Sequence, residues 1–164
     1  MKSRCFLGKV LLVGAGLAPL LLGVGCYGAY EVTGGGAGAA RLQVWPENYD
    51  TVARNAAVWV EVRPSFAQVT SFRLYEVWDD RYYETPCATS RREFSNEYLF
   101  CPDSNLSPYT RYIVELEVDY DTQYRWQFDT SGGYAGSASD CYYVEPYGGQ
   151  AVSAKDAGAQ PVEL

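Results

Sequence analysis

Tyr112–Tyr120 alternates with period two: Tyr112, Val114, Leu116 and Val118 fall on one side, and Ile113, Glu115, Glu117 and Asp119 on the other. Successive side chains of a strand point to opposite faces, so this segment is predicted as a strand with one buried and one wet face. The same period recurs along the chain. Arg41–Trp45 alternates until Pro46 ends it. Val58, Val60 and Val62 oppose Trp59, Glu61 and Arg63, while Phe72, Leu74, Glu76 and Trp78 oppose Arg73, Tyr75 and Val77. Glu97–Cys101 is a shorter apolar run, and Arg125–Thr130 places Trp126 and Phe128 on one face. Polar turns separate these segments, and none from Cys26 onward has a helical period. The fifteen tyrosines and four tryptophans suit strands. Residues 41–130 are therefore read as an all-β fold, an antiparallel β-sandwich. From Cys26 on, the chain is long enough for one such domain and not comfortably for two.

The flanks differ. Lys2, Arg4 and Lys9 precede an uncharged run from Val10 to Val24, and Gly25-Cys26 closes it. A basic start, an apolar middle and small residues at the end predict an export signal over residues 1–25. Together with Cys26 the segment resembles a bacterial lipoprotein signal peptide, with Gly25 and Val24 at the family's small positions and Gly23 where the family carries Leu. The resemblance implies lipid attachment at Cys26 and a membrane held through acyl chains. Tyr27, where an Asp would mark inner-membrane retention, implies the outer membrane. Three other readings stay open. Cleavage beyond Cys26, near Gly28 or Ala29, would give a secreted protein. An uncut anchor is short of the roughly 20 apolar residues a span needs and is interrupted by Pro19. Cys26 as an ordinary residue of the signal is the third. Residues 26–40, rich in Gly and Ala, read as a flexible tether. Residues 131–164 read as a mostly disordered tail, with Cys141–Tyr147 as a candidate extra edge strand.

Leu106-Ser107-Pro108-Tyr109-Thr110-Arg111-Tyr112, followed by alternating residues and then Trp126-Gln127-Phe128-Asp129-Thr130, forms a recognisable phrase. It resembles the end of bacterial Ig-like domains of the S-layer-associated kind, and of fibronectin type III-like modules. Pro46, Val52 and Asn55-Ala56-Ala57-Val58-Trp59-Val60 match the opening of such a domain. The resemblance covers residues 41–130 and implies an Ig-like sandwich. Pro108 would fix the turn before a strand. Tyr112 would bury its ring and send its hydroxyl to nearby backbone as a tyrosine corner. Trp126 and Phe128 would fill the core.

Cys87 and Cys101 close a loop of about 15 residues and are expected to pair in an oxidising compartment. Cys141 is then free, bonded between chains, or a substitute for one partner, and a retained Cys26 would permit Cys26–Cys141. Metal ligation is not expected, because the cysteines are far apart and the chain has no histidine.

The same lack removes the usual base of a serine hydrolase. Glu61, Glu76, Glu115 and Glu117 offer carboxylates of the kind a glycosidase pairs, but on alternating strands they read as a solvated face. Asp79-Asp80 and Asp119-x-Asp121 read as turns rather than calcium loops. Beyond the signal, 10 basic residues stand against 20 acidic ones, the wrong sign for nucleic acid. No enzyme and no cofactor is expected. Tyr82 and Tyr83, with Tyr98, Tyr109, Tyr120 and Tyr124, lie in or beside predicted loops and edges, where rings can stack on a sugar or anchor a protein. Two functions follow as expectations. The first is a non-catalytic, lipid-anchored envelope protein presenting an Ig-like domain for structural or adhesive protein interaction. The alternative is a secreted carbohydrate- or peptide-binding module using loop tyrosines.

Overall fold

The computed structural model describes residues 40–92, 95–120, 122–144, 151–153 and 157–164. The expected signal, Cys26 and all of the expected tether except Ala40 lie outside the described residues. Twelve strands follow in order: β1 Arg41–Trp45, β2 Thr51–Val52, β3 Val58–Arg63, β4 Val69–Trp78, β5 Arg81–Thr85, β6 Cys87–Arg92, β7 Glu97–Pro102, β8 Arg111–Val118, β9 Thr122–Thr130, β10 Tyr142–Val144, β11 Ala151–Ser153 and β12 Ala159–Pro161.

Two five-stranded sheets form the sandwich, ordered β1-β3-β7-β6-β12 and β2-β9-β8-β4-β5. All pairings in them are antiparallel except β2 on β9. With β12 set aside, this is the Ig arrangement, four strands on one side and an extended C-F-G sheet on the other. The core follows from period two. Val58, Val60, Val62, Tyr98 and Phe100 of the first sheet face Leu74, Val114, Leu116, Tyr124, Trp126 and Phe128 of the second, all buried. Phe72 and Phe100 stack ring on ring across the gap, with centroids 3.7 Å apart.

Residues 106–112 make the corner. Pro108 precedes β8, and Tyr112, near the start of β8, is 1 % exposed and stacks on Phe128. Its hydroxyl accepts the Ser107 N–H at 2.8 Å and donates to the Glu76 carboxylate at 3.3 Å. Beside it, buried Thr130 donates its hydroxyl to the Ser107 carbonyl at 2.6 Å and accepts the Thr110 N–H at 3.0 Å. Tyr112→Phe strands the Ser107 N–H, so it is expected to cost about 1 kcal/mol or more. Chemical unfolding of both proteins checks this, and coincident midpoints would remove the corner's energetic role.

The segment after Thr130 departs from the disordered tail that its composition suggests. It contributes β10, β11 and β12 and forms a strap over the outer side of the first sheet. Pairing of Val44 with Val60, and of Trp45 with Trp59, puts the valines inside and the tryptophans outside. Leu99, opposite Trp59, is outside too. Yet Trp59 is 3 % and Leu99 2 % exposed. They belong to one cluster with Trp45, Cys141, Tyr142, Tyr143, Val144, Val152 and Ala157. Tyr142 meets Trp45 edge-on at 5.4 Å. Around that residue, Ala57 N–H bonds the Tyr142 carbonyl at 2.7 Å and Tyr142 N–H bonds the Asn55 carbonyl at 3.0 Å. β10 pairs with β11 rather than extending a main sheet, and β12 is the edge strand instead, on β6. A composition of small polar residues hides this order, because the six strap residues of this cluster suffice to cover an apolar outer face.

The expected Cys87–Cys101 bond is also corrected. Cys101 is bonded to Cys141, with Cα atoms 6.0 Å apart, and Cys87 is free. The reason is strand parity. Cys87 lies opposite Pro102 and Ala88 opposite Cys101, so Cys87 and Cys101 point to opposite faces of the sheet. Proximity in sequence does not overcome that.

Candidate binding face

The outer face of the second sheet carries rings and charges together. Period two builds it. β4 contributes Arg73, Tyr75 and Val77, β5 Tyr82 and Glu84, β8 Ile113, Glu115 and Glu117, and β9 Arg125 and Gln127. Arg125 reaches Glu115 at 3.6 Å and lies over the Tyr82 ring at 5.6 Å. Tyr75 meets the Tyr82 ring edge-on at 6.3 Å. Arg111 and Asp129 pair at 3.0 Å at the end of the same face. The Arg73 guanidinium is pushed further up by Tyr75 beside it, with Glu84 and Glu115 adding to the effect.

A loop before β2 closes one side. Tyr49 has a φ of 70°, and its N–H bonds the Gln127 carbonyl at 2.7 Å. Asn48 Oδ1 accepts the Gln127 N–H at 3.1 Å, and Asp50 Oδ2 accepts the Glu47 N–H at 2.9 Å. These bonds hold an exposed Tyr49 ring against β9. Between Tyr49 and Tyr82, over Ile113 and Gln127, lies a depression of about 340 Å³ reached by Asn48 and Arg125. A second, of about 470 Å³, continues along Arg73, Glu115, Glu117, Gln123 and Arg125. Rings, amides and alternating charges can bind a surface or stack on a ring. They supply no activated nucleophile.

The tyrosines singled out from the sequence separate in space. Tyr82 belongs to this face. Tyr83 lies on the other side of β5, opposite Glu76, where Trp78 is also exposed. The two are 56 % and 50 % exposed but do not form one platform. Tyr98 and Tyr124 are core residues, whereas Tyr109 and Tyr120 are exposed at turns. Pro108, Tyr112 and Phe128 lie at the corner and in the core, away from this surface, whereas buried Trp126 donates its indole N–H to the Pro46 carbonyl at 3.1 Å and helps to line the Tyr49–Tyr82 depression. Tyr49 and Tyr75 escaped sequence reasoning. The local signal for Tyr49 was Asn-Tyr-Asp after Pro46, which is turn chemistry. Among the described residues, no group of three or more Cys, Asp and Glu side chains is placed to hold a metal.

Cys87 sits half-buried at the start of β6, its thiol donating to the Thr85 carbonyl at 3.4 Å. Burial pushes the thiol up to about 12, with Asp103 and Glu84 adding to the effect. The folded protein is expected to resist iodoacetamide at neutral and mildly alkaline pH and to react fully once unfolded, because the thiolate is the nucleophile. Mass shift against time checks this. The folded state binds the thiol proton more tightly, so this stabilisation is complete below the thiol's ordinary range and is lost as pH rises through it towards about 12.

No family model and no curated protein sequence matches the chain. Among solved structures it is similar to selenomethionine PcoC, a copper resistance protein from Escherichia coli, at a TM-score of 0.45 and 11 % identity, covering 54 % of this chain and 95 % of that one. A second structure of PcoC, described as a methionine-rich copper resistance protein from Escherichia coli, gives 0.44 and 13 %, covering 54 % and 93 %. This chain has one methionine.

Proposed function

We propose that this chain is an exported, non-catalytic binding protein, lipid-anchored through Cys26, whose Ig-like domain presents the outer face of β9-β8-β4-β5 to a protein of the cell envelope. The observation that carries the reading is that face: Tyr49, Tyr75 and Tyr82 exposed or half-exposed among Arg73, Arg125, Glu84 and Glu115. Large rings with arginines are what protein contacts are enriched in. The Cys101–Cys141 bond supports an oxidising compartment, and the basic, apolar and small-residue segments before Cys26 support export.

Two measurements test the two halves. Intact mass of membrane-extracted protein, beside Cys26→Ser, should give a chain that begins at Cys26, heavier by acyl groups, and an unmodified variant. A soluble, unmodified wild type removes the anchor. Binding of the domain to isolated envelope should fall at least tenfold in Tyr49→Ala/Tyr82→Ala with the melting temperature preserved. Unchanged binding removes the face. The Tyr49–Tyr82 depression favours a second reading, a glycan stacked between two rings. A glycan-array signal lost in the same variant would put that reading first.

A further inference from the structure

Strand β5 ends its sheet, and no described strand lies beyond it. Four of its five residues, Arg81 to Glu84, are exposed, and Thr85 is partly covered. The other sheet edges differ. β2 and β12 are two and three residues long. β1 ends in buried residues, with Trp45 beneath the strap. Natural edges are commonly blunted by lysine, proline or a bulge. β5 contains no lysine or proline, and its register with β4 runs unbroken from Trp78↔Arg81 to Leu74↔Thr85.

The register also fixes which backbone groups face outward. Asp79 and Asp80, with φ of 51° and 59°, form a two-residue type I′ turn. In such a hairpin the flanking pair Trp78↔Arg81 exchanges both hydrogen bonds, as do Glu76↔Tyr83 and Leu74↔Thr85. The N–H and C=O groups of Tyr82 and Glu84 therefore point away from the sheet.

We propose that β5 pairs antiparallel with β5 of a second copy of this chain, about a two-fold axis through Tyr83. This register alone pairs both outward residues, Tyr82 with Glu84 of the other copy and the reverse, and makes four main-chain hydrogen bonds. It is self-complementary in chemistry as well. Tyr83 meets its own copy at the non-hydrogen-bonded position, where side chains are closest, and each Tyr82 hydroxyl lies opposite a Glu84 carboxylate. In this register Arg81 lies opposite Thr85 and Glu84 opposite Tyr82 of the other copy, so no like charges are directly opposed. The result is a continuous ten-stranded sheet. The contact is smaller than a standard interface, so the expected dissociation constant is on the order of 100 μM in solution.

The test uses the chain from residue 26 onward with Cys26→Ser, which carries neither the apolar N-terminal run nor an acyl site. Sedimentation equilibrium should show mass rising from monomer towards dimer between about 10 μM and about 1 mM. Glu84→Pro removes an outward N–H and none that β4 uses, so it keeps the fold and should stay monomeric throughout. In a Cys87→Ser background, Tyr83→Cys should cross-link under mild oxidant, because a non-hydrogen-bonded pair brings Cα atoms to about 4.5 Å. Tyr82→Cys, displaced by two residues from its own copy, should not. A wild type that stays monomeric at about 1 mM overturns the proposal. So does a folded Glu84→Pro that dimerises equally, or a Tyr82→Cys that cross-links as well as Tyr83→Cys.

Discussion

Cys141→Ser is expected to lower the unfolding free energy by about 4 kcal/mol, the chain-entropy value for a closed loop of this length. The loop spans 40 residues and joins β7 to the strap. A domain of this size has on the order of 5–15 kcal/mol in all, so the variant should be near the margin. The strap also covers Trp45, Trp59 and Leu99, each worth about 1.5–3 kcal/mol when fully buried. Loss of the bond should therefore bring a second signature: red-shifted tryptophan fluorescence and dye binding before global unfolding. Cys87→Ser is the control and should leave the transition nearly unmoved, since that thiol closes no loop. Urea unfolding followed by fluorescence decides the matter. If Cys141→Ser unfolds with the wild type, the strap holds without its staple.

Asn55→Asp should be nearly as damaging, for a different reason. The Asn55 amide nitrogen donates towards three carbonyls, Ala135 at 2.8 Å, Ser137 at 3.0 Å and Asp140 at 2.7 Å. Its oxygen accepts the Ala135 N–H at 2.9 Å. The side chain is 5 % exposed and shapes the whole turn that leads into Cys141. Aspartate replaces the donor with an acceptor, so three carbonyl oxygens face a carboxylate. Burying that charge against three carbonyls, with the Ala135 N–H as its donor, should cost roughly 3 kcal/mol or more. The sign of the pH dependence follows. The folded state favours the protonated acid, so the introduced group titrates above its unfolded range, and the deficit should shrink as pH falls from about 7 towards about 5. Unfolding midpoints across that range check both claims. A constant gap would mean that the amide acts through shape alone.

The two sheets were legible because their side chains obey a local rule. In Tyr112–Tyr120 and Val58–Arg63 alternation fixes both the strand and its inward face. β5 and β6 were not legible, because Arg81–Arg92 is polar on both sides and its turn uses Asp79-Asp80 in place of an Asn-Gly or Asp-Gly signal. The strap was missed because its order comes from distant partners: Trp59 and Leu99 look outward in the alternation, and only a covering layer makes them core. Of the binding face, Tyr82 was visible as a ring near a turn. Its grouping with Tyr49, Tyr75 and Arg125 depends on sheet order, which no local pattern carries.

The placement of Cys87 and Cys101 on opposite sides of one hairpin works as a sorting rule for oxidative maturation. An unfolded chain meeting an oxidant would most readily join these two, since they are the nearest in sequence among Cys87, Cys101 and Cys141. Once β6 and β7 zip together, that wrong pairing is out of reach and Cys101 faces the side where the strap arrives. The sheet acts as a template that selects which thiols meet. Cys87, shielded and protonated, is left without the thiolate it would need to reopen the choice.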